Sequence, residues 1–196
     1  MKKNFAAAIF SSILLSASPA PSSAAGYVTP AQCSAALSSV QMGNGLPDAK
    51  IFHNIGSPVP SGPNFRIFID TVHEDSAREA INRWETASKG KITFTEVKDK
   101  SEGVITVTDK NPSHGGGPAL GMALNSISDP QIHIKPSISD PSVAAQVLTH
   151  ELGHIMGLGH SCENTLMYRF FGPKQLDRPN EVEVAAVLDL YRGREM

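Results

Sequence analysis

Residues 149 to 160 read THELGHIMGLGH, which sets three histidines, one glutamate and three glycines within twelve positions. His150 and His154 are four apart, so on a helix both imidazoles project from one face, one turn above the other. Placed so, both can reach one zinc ion at about 2.0–2.1 Å. Glu151 follows the first histidine and can meet a water on that ion instead of the ion itself. A catalytic zinc site takes three protein ligands and leaves a fourth position open. Gly157 can adopt positive φ, stop the helix and turn the chain back, which brings His160 towards the same ion. Metal-assisted hydrolysis with a glutamate as general base is the chemistry this set supports. The long form HExxHxxGxxH, with five fixed positions, weighs against histidines that merely share an exposed helix face.

The neighbouring segments predict what holds this set in place. Asp140 reads as an N-cap with Pro141 in the first turn, so a helix should run from there to Gly157. Upstream, FRIFID alternates apolar and polar residues and predicts a strand. HEDSAREAINRWETASK follows, with Ala77, Ala80, Ile81, Trp84 and Ala87 at three- and four-residue spacing, an amphipathic helix ended by Gly90. KITFTEV and GVITVTD have period two and predict two more strands. NPSHGGGP is expected to be loop, while ALGMALN and QIHIKPS are short candidate strands. NEVEVAAVLDLYR should form a last helix burying Val182, Val184, Ala185, Val187 and Leu188. The order predicts an α/β chain with a mixed, twisted sheet, a first amphipathic helix, a site-bearing helix and a C-terminal helix. Residues 26–63, poor in charge and rich in Gly, Pro and Ser, read as an extended lead-in to a domain over 64–196.

On these residues the chain resembles the metzincin metalloproteases, a class of the α+β zincin type. HELGHIMGLGH matches their zinc signature, and TLMY with Met167 looks like their Met-turn. The short gap between His160 and Met167 resembles the matrixin branch, the relatives of matrix metalloproteinases. AINRWETASKGKITFTEV, GVITVTD and EVEVAAVLDLYRG are similar to further matrixin elements, so the likeness spans roughly 64–193. It implies a zinc endopeptidase with one catalytic Zn²⁺ on His150, His154 and His160, Glu151 as general base, and Met167 in a turn beneath the histidines. It also implies a protein or peptide substrate lying antiparallel to an edge strand. Here that strand is the segment Ala119, Leu120, Gly121, Met122 and on to Asn125. After the Met-turn this chain has Arg169 where matrixins usually carry proline. Phe170 and Phe171 then either line an apolar pocket or belong to the core.

The resemblance also bears on the remaining histidines and cysteines. His114 and His133 fall near the positions of a structural zinc in matrixins, but the middle ligand is replaced by Met122. A structural zinc or calcium is therefore not expected. His53 and His73 read as surface residues. An even count of two cysteines, Cys33 and Cys162, favours one disulfide in an exported protein. Matrixin zymogens offer an alternative, since a prosegment cysteine blocks their zinc; PAQCSAALS lacks the residues that surround it there. Whether 26–63 is retained or removed as a short prosegment stays open on the sequence.

Export itself follows from the start of the chain. Lys2 and Lys3, an apolar run from Phe5 to Leu15 and then small residues have the order of a secretory signal peptide over residues 1–25. That run is too short to span a bilayer. Cleavage is expected after Ala25, with Ala20 as second option, and the product should be extracellular or periplasmic. The chain has 17 basic residues, of which two would leave with the leader, against 19 acidic ones. Such a balance gives no reason to expect nucleic acid or an anionic membrane as partner, and a monomer is expected. A different class of function fits the same ligands: a secreted, zinc-holding domain that binds peptide or protein without cleaving it. Glu151 weighs against that reading, because binding needs no base beside the water.

Overall fold

The computed structural model describes residues 28–54, 62–101, 103–114 and 117–192; the leader expected over residues 1–25 lies outside them. The fold is mixed α/β. Strands β1 (Asn64–Asp70), β2 (Thr93–Glu96), β3 (Ile105–Asp109), β6 (Gly121–Leu124) and β7 (Gln131–Ile134) form one sheet in the order β2-β1-β3-β7-β6. The first four are mutually parallel and β6 runs antiparallel to β7. A parallel neighbour demands a crossover, and helix α2 (Glu74–Ala87) supplies it between β1 and β2. Strand β7, QIHI, follows β6 by a short reversal instead, which makes the last pair antiparallel and leaves β6 at the sheet edge.

Central β3 lies between β1 and β7, and Ile105 and Val107 on it are almost fully buried. Helix α3 (Pro141–Ile155) crosses α2, and Trp84 of α2 is the largest wholly buried side chain between them. Its indole Nε1 donates to the Thr149 carbonyl oxygen at 2.9 Å. That bond ties α2 to the turn that begins the histidine segment. Trp84→Phe keeps an aromatic ring but removes the donor, so denaturant unfolding should show a loss of about 1 kcal/mol.

Asp140 caps α3 as expected, its carboxylate accepting from the Ser142 N–H at 2.8 Å, with Pro141 in the first turn. The last helix, α4 (Glu181–Tyr191), has Asn180 as N-cap and Glu183 completing a capping box. Its buried face includes Val182, Val184 and Val187 as expected. Ala186 and Glu183 are buried too, whereas Ala185 and Leu188 are only half-buried. The stripe is rotated because α4 also receives the N-terminal segment.

Two expectations need correction. Residues 26–63 are not simply extended: α1 (Pro30–Gln41) is a three-turn helix that packs on α4, and a short 3-10 turn, Ala49–Phe52, follows. Thr29 and Gln32 form a reciprocal capping box, Pro30 opens the first turn, and Ala36 and Phe52 enter the core. Small residues in this segment thus serve close helix packing. Within NPSHGGGP, a two-residue antiparallel pair joins β4 (Ser113–His114) to β5 (Gly117–Pro118) where only loop was expected.

Candidate metal centre

The last two turns of α3 carry His150 and His154, and the chain then reverses at Gly157, whose φ is 102°. That value excludes most side chains and sends Gly159 and His160 back across the helix end. The three imidazoles converge: ring centroids are 4.7 Å apart for His150 and His154, 4.7 Å for His154 and His160, and 5.6 Å for His150 and His160. One ligating atom from each lies within 4.8 Å of the others.

The donor chemistry fits a zinc ion. His150 Nδ1 lies 2.8 Å from the Leu166 carbonyl oxygen and His154 Nδ1 lies 2.8 Å from that of Leu158. A carbonyl only accepts, so both Nδ1 atoms carry the proton and both lone pairs sit on Nε2. Metal binding also needs neutral imidazole. Burial pushes His150 down to about 4, against the pull of the Leu166 bond and with help from neighbouring His160. This ring is therefore held in the state a ligand requires.

Glu151 points away from that helix face towards β6, is almost fully buried, and is bonded by the Ala123 backbone. Burial raises its carboxyl to about 8, with the Ala123 bond opposing. Gly121 permits the close approach of strand and helix: a Cβ there would come within 2.6 Å of Val147 Cγ1 and 2.9 Å of Glu151 Cγ. Glu151 and the three histidines line one cleft of about 790 Å³.

All six residues expected to meet substrate border this cleft. Ala119, Leu120, Gly121 and Met122, leading into and along β6, line it, and so do Phe170 and Phe171. Between pocket and core, the phenylalanines are not core: they are 57% and 47% exposed. β6 pairs only with β7 among the described strands, so its other main-chain edge faces the cleft. Met167 is buried beneath the histidines, and its N–H donates to Glu183 Oε1 at 2.7 Å.

Several residues were not picked out from sequence. Gln175 lines the cleft and its Nε2 lies 2.8 Å from the Leu166 oxygen, the same acceptor His150 uses, and 2.9 Å from His150 Nδ1. Asn125 donates from Nδ2 to the His154 carbonyl oxygen at 2.7 Å. Neither has a local sequence signal. Glu183 did have one, since Asn-x-x-Glu before an apolar run is a capping box. His53 and His73 are not plain surface residues. His53 bonds the Ala186 carbonyl oxygen through Nε2 and lines the cleft, while His73 bonds that of Lys135. His133 is buried, its Nε2 meeting Gln131 Oε1 at 3.1 Å. Cys33 and Cys162 are joined as a disulfide, with their Cα atoms 6.6 Å apart.

Comparison with known proteins adds to this geometry. The family model described as Matrixin matches residues 128–192, the stretch holding β7, α3, the histidine loop, Met167 and α4. The chain is matrixin-like. It is also 28% identical over 130 residues to a probable matrix metalloproteinase, 095L, of Invertebrate iridescent virus 3. That alignment takes in 57% of this chain and 36% of the viral protein, so the matrixin-like chain spans little more than a third of that relative's length. The likeness supports a metalloprotease kind of function. A family of this kind implies zinc, and among the described residues the histidine triad of the matrixin-like chain has the geometry to hold a metal ion.

Proposed function

We propose that this matrixin-like protein is an exported, zinc-dependent endopeptidase, with residues 64–196 carrying the chemistry. The observation that carries the reading is the convergence of three imidazoles beside a buried glutamate in a cleft bounded by an edge strand. His150, His154 and His160 would hold the ion. Zinc, when bound, supplies Lewis acidity, polarising a scissile carbonyl and lowering the pKa of water. Glu151 takes a proton on a carboxylate oxygen and later hands one to the leaving amine. The exposed edge of β6 pairs with an extended peptide, and its backbone bonds give affinity without strict sequence choice. Phe170 and Phe171 offer apolar surface to one substrate side chain. The leader sequence and the disulfide support export, and among the described residues no helix is long and apolar enough to cross a membrane. One ion per monomer is the expected stoichiometry.

A non-cleaving zinc domain is the competing reading. It has no use for a buried carboxyl held against the substrate strand, and this supports the enzyme instead. Digestion of a mixed peptide library, read by mass spectrometry with and without chelator, separates the two. Cleavage that chelation stops and added zinc restores is expected. A protein that holds one zinc and cuts nothing is the binder.

A further inference from the structure

The loop that runs from the end of α3 to His160 is gripped from outside by the N-terminal segment. Asn54 N–H donates to the Gly157 carbonyl oxygen at 2.7 Å, and Gly159 N–H donates to that of Phe52 at 2.9 Å. His53 and Leu158 form an antiparallel bridge between these bonds. Leu158 is also the residue whose carbonyl receives the His154 Nδ1 proton, and His160 follows Gly159 directly. Two residues beyond His160, Cys162 is joined to Cys33 of α1. The loop bearing the third histidine is therefore held at its start by residues 52–54 and at its end by the disulfide. The grip is anchored in turn: Phe52 and Ala36 are buried in the core, and His53 Nε2 bonds the Ala186 carbonyl oxygen of α4 at 3.0 Å.

We propose that residues 28–54 are a permanent clamp on the metal-binding loop, a positioning segment retained in the working protein, and not a detachable prosegment. This rests on the metal reading given above. A prosegment that leaves must come away without taking the folded site with it. Here departure would break two main-chain bonds to the ligand loop, empty the Phe52 position in the core and leave the disulfide as the remaining link. Cys33, paired with Cys162, is also not available as a thiolate to cover the ion. The clamp acts on His154 through Leu158 and on His160 through Gly159, so its loss should show at the metal before it shows in overall folding.

The test uses the full chain, exported with its own leader and loaded with zinc. Asn54→Pro removes the donor to Gly157, and the preceding residue tolerates it, since His53 already has φ −88° and ψ 144°. Asn54→Ala retains that donor. Cys33→Ser with Cys162→Ser removes the other grip without touching a main-chain bond. Zinc release to a chromogenic chelator should be about 10- to 100-fold faster in Asn54→Pro and in the double serine variant, and close to wild type in Asn54→Ala. The visible spectrum of the cobalt-substituted protein should change in the same two variants, a readout that general destabilisation leaves alone. Circular dichroism verifies the fold, and if Asn54→Pro does not fold, the double serine variant decides. Unchanged release and spectrum in a folded, disulfide-free variant overturn the clamp while leaving the metal reading intact, as does a zinc-loaded active species lacking residues 28–54. A wild type that binds no zinc overturns both.

Discussion

Glu151→Gln should lower the rate of peptide hydrolysis by about 10²- to 10⁴-fold and leave one zinc per chain. The amide has nearly the same shape as the carboxylate and can still accept from the Ala123 backbone, so β6 and α3 stay in register. It cannot take a proton from water or return one to an amine. The loss should therefore fall on kcat, with KM little changed, because the interaction removed belongs to the transition state. Burial, outweighing the Ala123 bond, holds Glu151 up at about 8, where much of it is protonated at neutral pH and idle as a base. A dication close by draws a carboxyl down, so the working pKa depends on a loaded site. Steady-state rates on a quenched peptide, beside zinc content by mass spectrometry, check the prediction. Full activity in the glutamine variant would place the base elsewhere and remove Glu151 from the mechanism.

The site was legible in the sequence because its pattern is local. His150 and His154 need only helical spacing, His160 needs a reversal that Gly157 permits, and Asp140 with Pro141 marks where the helix starts. The sheet was legible for a similar reason, since FRIFID and GVITVTD state their period within a few residues. What escaped was long-range. The N-terminal helix has weak amphipathicity and many small residues, and only its partners, α4 and Cys162, show why small residues suit it. His53 lacks any neighbour in sequence that hints at Ala186, which lies 133 residues on. Gln175 and His150 share the Leu166 carbonyl oxygen as acceptor, through a loop whose course no local signal encodes. The burial shift in α4, from Ala185 and Leu188 to Ala186 and Glu183, has the same origin: a helix packed from two sides does not keep a single stripe.

Glu183 is where fold and site meet, a buried carboxyl bonded both to the start of α4 and to the segment after the histidines. Its carboxylate accepts from the backbone N–H groups of Asn180 and Met167, at 2.8 and 2.7 Å, and from that of Leu166. One side chain thus caps α4 and pins the turn under the histidines, and Leu166 within that turn offers the oxygen that orients His150. Glu183→Ala strands these donors away from water. At about 1–3 kcal/mol for each buried group left unpaired, the loss should be about 3 kcal/mol or more in denaturant unfolding. Zinc affinity should fall with it, since the acceptor for His150 Nδ1 loses its support. Charge adds a pH signature. Burial raises Glu183 from the ordinary 4.5 to about 7, more than its backbone donors lower it. Between those values the folded chain holds a proton at this position that the unfolded chain has released. Its contribution to stability is therefore greatest below about 4.5, falls as pH rises to about 7, and is level beyond. Glu183→Gln does not titrate and should lack this slope. With both proteins stripped of metal, the histidine titrations are common to them and cancel in the difference. The stability of wild type relative to the glutamine variant should then decline across that window, and a flat or rising difference would show the carboxylate ionised throughout, held by its three donors against the cost of burial.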